Sequence, residues 1–277
     1  TALPVGDEKR LNIAKAPVLK GHHATIVEKN AQSTAVSFGF PIDTIRNDKD
    51  WAALWLVRSY FGEHRSSNSY LYQQIRQARG MNYGDYSYIE YFPRGMFQTK
   101  PDANLGRSSQ IFQVWLRPLR SNNDAHFATR AALYELDKLI ENGMSEKDFQ
   151  ATRNYLTNYA PQLVASQDQQ LGYALDSEFY QTEEFVKYVR EQFAKLSLAD
   201  VNRVIKENLQ TDDIQYVFIS GDGEDMKKRL LSEQVSPLKY NSEKPAELLA
   251  SDKIIESYQL ALPEKNVEVI AVDAVFK

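Results

Sequence analysis

Cysteine is absent from the 277 residues, which excludes a disulfide framework, a thiolate zinc site and a cysteine nucleophile. Histidine is scarce: His22, His23, His64 and His126 are all there are. No apolar run approaches the roughly 20 residues a membrane span requires. No basic run occurs either. With 33 Lys and Arg against 37 Asp and Glu the formal net charge is −4, which argues against nucleic acid as the main partner. There is no G-x-S-x-G, and each Ser falls in a plausible cap or turn, so Ser/His/Asp catalysis has no local support. Gly221-Asp222-Gly223 lacks the spacing of a phosphate or dinucleotide loop and reads as a turn. No short-period repeat is present. The opening residues carry no secretory-signal pattern, yet the first residue is Thr1 and not Met, so a preceding segment is expected.

What is present is ordinary globular composition, 43% hydrophobic and 25% charged, in a chain long enough for a sizeable core. Residues 1–20 are mixed in charge with two prolines and read as a linker or docking arm. Two strand-like runs follow, His22 to Glu28 and Ser33 to Pro41, with a polar turn around Asn30. Asn47 to Phe61 reads as a helix, with Trp51, Leu54, Trp55 and Arg58 at helical spacing and Gly62 as its stop. Gln110 to Arg117 alternates as a central strand ended by Pro118. Then come helices: Asn123 to Asn142 closed by Gly143, a second opened by Ser145 and Asp148 and stopped near Pro161, others through Leu171–Phe179 and Glu183–Leu196, and one capped by Ser197 and Asp200. Ile214 to Ser220 reads as a buried strand, and GEDMKKRLLSEQ as a short amphipathic helix. Ser236 to Ser251 reads as a linker, and Asn266 to Phe276 as a strand-like end that packs on this domain or on a neighbour. Strands, then a run of helices, then a late strand imply an α+β fold with helices packed on one sheet. The expected divisions are 1–20, 21–235 and 236–277.

A helical zinc pair needs two ligands on one face, as H-x-x-E-H supplies. The nearest approach is Tyr60-Phe61-Gly62-Glu63-His64, where a phenol, mostly protonated at neutral pH, replaces the leading histidine and a glycine intervenes. His64 reads as a solvated loop residue. His22 and His23 are adjacent, so in a strand they point to opposite faces and cannot chelate together. His126 opens a helix beside Asp124 and reads as a surface residue. No metal is expected on this chain.

The segment around which the rest is organised is Ser66 to Tyr91. Leu71, Ile75 and Ala78 recur at helical spacing, with Tyr72 beside them. Gly80 stands where a left-handed cap wants a residue without a Cβ. From Tyr83 to Tyr91 the chain alternates with a period of two and reads as a strand broken by Pro93 and Gly95. Arg76, in the last helical turn, and Tyr83, at the start of the strand, flank the turn. A guanidinium with five donors and a phenol with one, placed together, can grip a peptide backbone and polarise its carbonyl, as acyl-transfer transition states require. The plain structural reading is that Arg76 complements the helix dipole and that Tyr83 packs. The aromatic group Tyr83, Tyr86, Tyr88, Tyr91, Phe92 and Phe97 is either core and cross-strand ladder or a wall that accepts extended peptide by strand addition.

The stretch LYQQIRQARGMNYGDYSYIEYF resembles the second half of insulinase-type (M16, inverzincin) zinc peptidases, which carry Arg-Glu-Lys-x-Gly-Leu-x-Tyr between a helix and a strand. Here it reads Arg76-Gln77-Ala78-Arg79-Gly80-Met81-Asn82-Tyr83, with the family's Arg-to-Tyr spacing of seven. VEKNAQSTAVSFGFP before it and GMSEKDFQATRNYL after it extend the likeness from about Gly21 to Ile219. Gln77-Ala78 and Met81 depart from the pattern, and its open position before the Tyr is Asn82. Met for Leu is mild in a core, while Asn82 either tunes the strand or marks a subfamily with other substrates.

The resemblance implies a mixed, largely antiparallel sheet covered by helices, in a unit that occurs twice and faces itself across a closed chamber. It implies that Arg76 and Tyr83 contact the substrate and the oxyanion. Zinc is implied on the partner half only, bound through His-x-x-Glu-His, so the chain alone is expected to be inactive. Peptides are the implied substrates, and a bacterial periplasm is favoured over the cytoplasm. The alternatives are a non-catalytic structural or assembly subunit of the same fold and a peptide-binding module. The intact Arg76/Tyr83 pair argues against the scaffold.

Overall fold

The computed structural model describes Gly6, residues 16–63, 66–90, Ala103 and residues 110–275. Several sequence expectations therefore lie outside the described residues: the loop at His64, most of the arm at 1–20, and Tyr91, Phe92, Pro93, Gly95 and Phe97.

Six strands form one sheet: β1 (His23–Glu28), β2 (Thr34–Ile42), β3 (Gly84–Tyr88), β4 (Gln110–Leu119), β5 (Gln215–Ser220) and β6 (Val267–Ala271), in the order β3-β4-β2-β5-β1-β6. The pairs β3–β4, β4–β2 and β2–β5 are antiparallel; β5–β1 and β1–β6 are parallel. The sheet is mixed and largely antiparallel, as expected. Alternation along the strands sends Ile26, Val36, Phe38, Phe40, Phe112, Val114, Leu116, Tyr216 and Phe218 into the core. The opposite face is open at β5 and closed at β3 and β4, where Tyr86, Tyr88 and Trp115 are buried. On it Val217 and Ile219 of β5 are exposed, so β5 is buried on one face and not on both.

Pro118 does not end β4, which continues to Leu119. The register with β2 shifts there: Leu116 faces Val36 but Leu119 faces Thr34. The ladder steps around the residue that has no N–H to donate.

The helices are α1 (Trp51–Gly62), α2 (Asn122–Asn142), α3 (Glu146–Tyr159), α4 (Gln167–Tyr180), α5 (Phe185–Lys195), α6 (Leu198–Asn208), α7 (Gly223–Ser232) and α8 (Ala246–Ile255). The Ser145 and Ser197 caps form as expected, each hydroxyl accepting the amide three residues on. Gly62 does more than stop α1: a Cβ there would lie 2.4 Å from the amide nitrogen of Ser87, so its bareness lets α1 lie against β3. The polar stretch 236–251, read as a linker, runs into α8 and is tied down. Asp252 accepts from Arg79 Nε at 2.8 Å, and Arg130 donates to Ser236 Oγ at 3.1 Å and to the Glu256 carbonyl.

His126 is not a surface residue. It lies in α2 with no solvent exposure, and neither ring nitrogen makes a hydrogen bond among the described residues. Burial, with Arg130 and Arg229 nearby, pushes its pKa down to about 3, against about 6.5 in an unfolded chain. Between those values the unfolded state holds the proton and the native state does not, so stability falls as pH drops below about 6.5. By pH 5 the loss from this residue amounts to about 2 kcal/mol. Urea unfolding at neutral pH and near pH 5 should show that loss in the wild type and not in His126→Leu. Equal pH dependence of the two proteins would refute it.

Candidate functional site

The chain from Ser69 to Tyr88 builds the site. Leu71 and Ile75, both fully buried, anchor a helical turn to the core. From Tyr72 to Gln77 that turn is a π-helix, with the Ala78 amide bonding back to Gln73. Such wide turns are uncommon and concentrate at functional sites. Gly80 then reverses the chain at φ +66° with nothing near the position of a Cβ, the left-handed cap the sequence called for. Its amide donates to the Arg76 carbonyl at 2.7 Å. Met81 drops into the core, and Tyr83 sits in a bend just before β3, so the strand is shorter than the alternation from Tyr83 to Tyr91 suggests. All five β3 residues are buried, so the alternation does not give one wet face.

These turns bring Arg76 and Tyr83 together. Arg76 Nη1 donates to the Tyr83 carbonyl at 3.0 Å. Its Cζ lies 4.2 Å from the centre of the Tyr83 ring and 5.0 Å from that of Tyr72, a cation–π arrangement that orients the guanidinium. Tyr83 is 63% exposed, and its hydroxyl has no partner among the described residues. The pair thus offers an accessible phenol beside a guanidinium held flat by two rings, with donors to spare beyond the one already used.

Two groups in this region were not legible in the sequence. Asp85, two residues past Tyr83, is wholly buried. Burial pushes its carboxyl up to about 7 against the opposing pull of an Asn82 hydrogen bond and the Arg76 charge. The second is a buried charge network at the far end of β3. Arg46 Nε and Nη2 fork onto Glu90 at 2.8 and 3.0 Å, Nη1 reaches Asp176 at 2.6 Å, and Arg58 pairs with Glu63 at 2.6 Å. Trp51, Trp55, Tyr88 and Tyr173 close this network around a cavity of about 40 Å³. Its one sequence clue was Arg58 lying in register with the apolar residues of α1.

The aromatic group divides. Tyr86 and Tyr88 are buried against Trp115, with Tyr86 directly opposite it on β4, a cross-strand ladder. Among its described members, Tyr83 is the one that faces solvent. Among the described residues no group of three or more His, Asp and Glu is arranged to hold a metal ion.

Residues 4–156 match the family described as Peptidase M16 inactive domain. The chain belongs to that family. Solved structures agree on the fold. This M16 domain superposes on a peptidase M16 inactive domain from Pseudomonas fluorescens with a TM-score of 0.61 at 17% identity, covering 76% of this chain and 45% of that one. A protease from Helicobacter pylori gives 0.60 at 18% identity, covering 77% and 48%. The first half of the periplasmic protease PqqL from Escherichia coli gives 0.55 at 14%, covering 92% and 51%. The M16 domain spans about half the length of each of these three structures. No curated protein matches it.

Proposed function

We propose that this chain is the substrate-binding half of an M16 zinc peptidase, completed by a second half that carries His-x-x-Glu-His. The observation that carries the reading is the Arg76/Tyr83 juxtaposition. The family's spacing supplies the two residues, and a π-turn and a left-handed glycine set them side by side with the phenol exposed. The metal on the partner half would supply Lewis-acid chemistry and the nucleophilic water. On this chain, Tyr83 Oη donates to the oxyanion that develops on the scissile carbonyl, and Arg76 holds the neighbouring backbone. Without the partner half the chain has no base or metal to promote attack and is inactive. Extended peptides are the substrates, received against the open sheet face near Val217 and Ile219. A periplasmic setting belongs to the same proposal, the structurally similar first half of PqqL being that of a periplasmic protease.

The test is hydrolysis of an unstructured peptide by the chain alone and by the chain combined with the His-x-x-Glu-His half of its assembly, each with and without a chelator. Activity in the combination alone, lost on chelation, is the expected result. Activity of the isolated chain would overturn it. A combination that assembles but cleaves nothing would favour the scaffold.

A further inference from the structure

Asn82, at a position the family's pattern leaves open, spans Tyr83 with its side chain. Its Nδ2 donates to the Gly84 carbonyl at 3.1 Å and to Asp85 Oδ1 at 2.5 Å. Asp85 has no exposed surface, and its Oδ2 makes no hydrogen bond among the described residues, so water does not compete for the carboxylate. Gly84 is pinned too: the Tyr86 ring crosses it so closely that a Cβ would come within 2.5 Å of the ring's Cζ. Met81, on the other side, is buried. The backbone on both sides of Tyr83 is thus held, and Tyr83 is the exposed side chain of this segment, Asn82 being half-buried.

We propose that Asn82 and Asp85 are positioning residues, an amide–carboxyl clamp that presets the Tyr83 phenol and its contact with Arg76. The proposal rests on the reading of Arg76 and Tyr83 as substrate contacts. It gives Asn82 a job at a position the family's pattern leaves open: the clamp needs a side-chain amide two residues before Gly84 and three before Asp85. It also makes the site pH-dependent. Arg76 is the charged group that acts on Asp85. Of the elements packed on β3, β4 sets apolar Leu116 opposite Asp85 and Arg117 opposite Gly84, and α1 brings Arg58, paired with Glu63 just past the helix end. Burial pushes the Asp85 carboxyl up to about 7, so its ionisation near neutrality adds a charge two residues from the Tyr83 ring.

Two variants separate the parts of this device. Asp85→Asn keeps an acceptor for Asn82 and removes the titration; Asn82→Ala removes the donor. In the isolated chain with ring-labelled tyrosine, the Tyr83 resonance (assigned with Tyr83→Phe) should titrate with a midpoint near 7 and become flat in Asp85→Asn. Amide exchange at Tyr83 and Gly84 should speed up about tenfold or more in Asn82→Ala as local opening eases. In the assembled peptidase, Asn82→Ala should lower kcat by about tenfold or more with little change in KM, the mark of misplaced rather than missing contacts. A Tyr83 resonance indifferent to pH in the wild type, or exchange unchanged in Asn82→Ala, overturns the clamp. Both resonance and exchange are read without a partner half. A clamp that behaves as expected beside an assembly that cleaves nothing would therefore overturn the functional reading and leave the clamp standing.

Discussion

Tyr83→Phe in the assembled peptidase should lose about 2–4 kcal/mol of transition-state stabilisation, the usual size of one oxyanion donor. That is a fall of roughly 30- to 1,000-fold in kcat/KM. The loss should sit in kcat, because the hydroxyl is proposed to meet a charge that exists only in the transition state. Stability should hardly move. Tyr83 is 63% exposed and its hydroxyl bonds to nothing among the described residues, and such substitutions usually stay within about 0.5 kcal/mol. Arg76 offers a contrasting variant. Arg76→Lys keeps the charge but not the flat fork that stacks on Tyr72 and Tyr83. An unchanged kcat/KM in Tyr83→Phe, measured with a peptide long enough to reach both halves, would remove Tyr83 from the chemistry.

Arg46→Met should destabilise the domain by about 3–5 kcal/mol, the range for breaking one side of a buried ion pair. Burial alone would push the Arg46 guanidinium down, but Glu90, Tyr173 and Asp176 beside it more than offset this and hold its pKa above the ordinary value. It is therefore a cation in the interior, 5% exposed, forked onto Glu90 and bonded to Asp176. Its Cζ lies 5.5 Å from the Tyr173 ring and 5.8 Å from the Tyr180 ring. Removing it leaves the buried Asp176 carboxylate without its cation, and the network that joins the segment after β2, the end of β3 and α4 comes apart. The urea midpoint reads the change. Replacing Arg46, Glu90 and Asp176 together by apolar residues of similar volume should cost far less than the single change, because no charge is then left stranded. A shift below about 0.5 kcal/mol in Arg46→Met would mean that water reaches the network and screens it.

His126 and Asp85 carry a related lesson about reading charge from sequence. Near the start of a helix, beside Asp124, a histidine normally meets solvent. Here α7 packs on that face of α2, and the ring ends wholly buried with Arg130 and Arg229 in range. Asp85 lies among small and aromatic residues that alternate as a strand should, with nothing local to say that both faces of β3 are covered. In each case the covering surface comes from elements distant in the chain.

What the sequence determined by itself was everything with a local cause. Ser145 and Ser197 announced their helices because a cap is a bond three residues long. Gly80 announced its turn because a positive φ favours a residue without a Cβ. The stretch from Leu71 to Phe92, with the likeness on either side of it, was enough to name the family by resemblance, and the resemblance implied the sheet covered by helices. Tertiary structure alone decided the rest. It placed β5 between β2 and β1, although those two are neighbours in the chain, because a strand's pattern records which face is apolar but not which edge it joins. It joined Arg46 to Asp176 across 130 residues of sequence. It also turned the Tyr83 ring out to solvent while burying Tyr86 and Tyr88 against Trp115. Three tyrosines of one strand-like segment carry the same local signal; the Asn82 clamp, the bend before β3 and the cross-strand tryptophan decide which of them is free to meet a substrate.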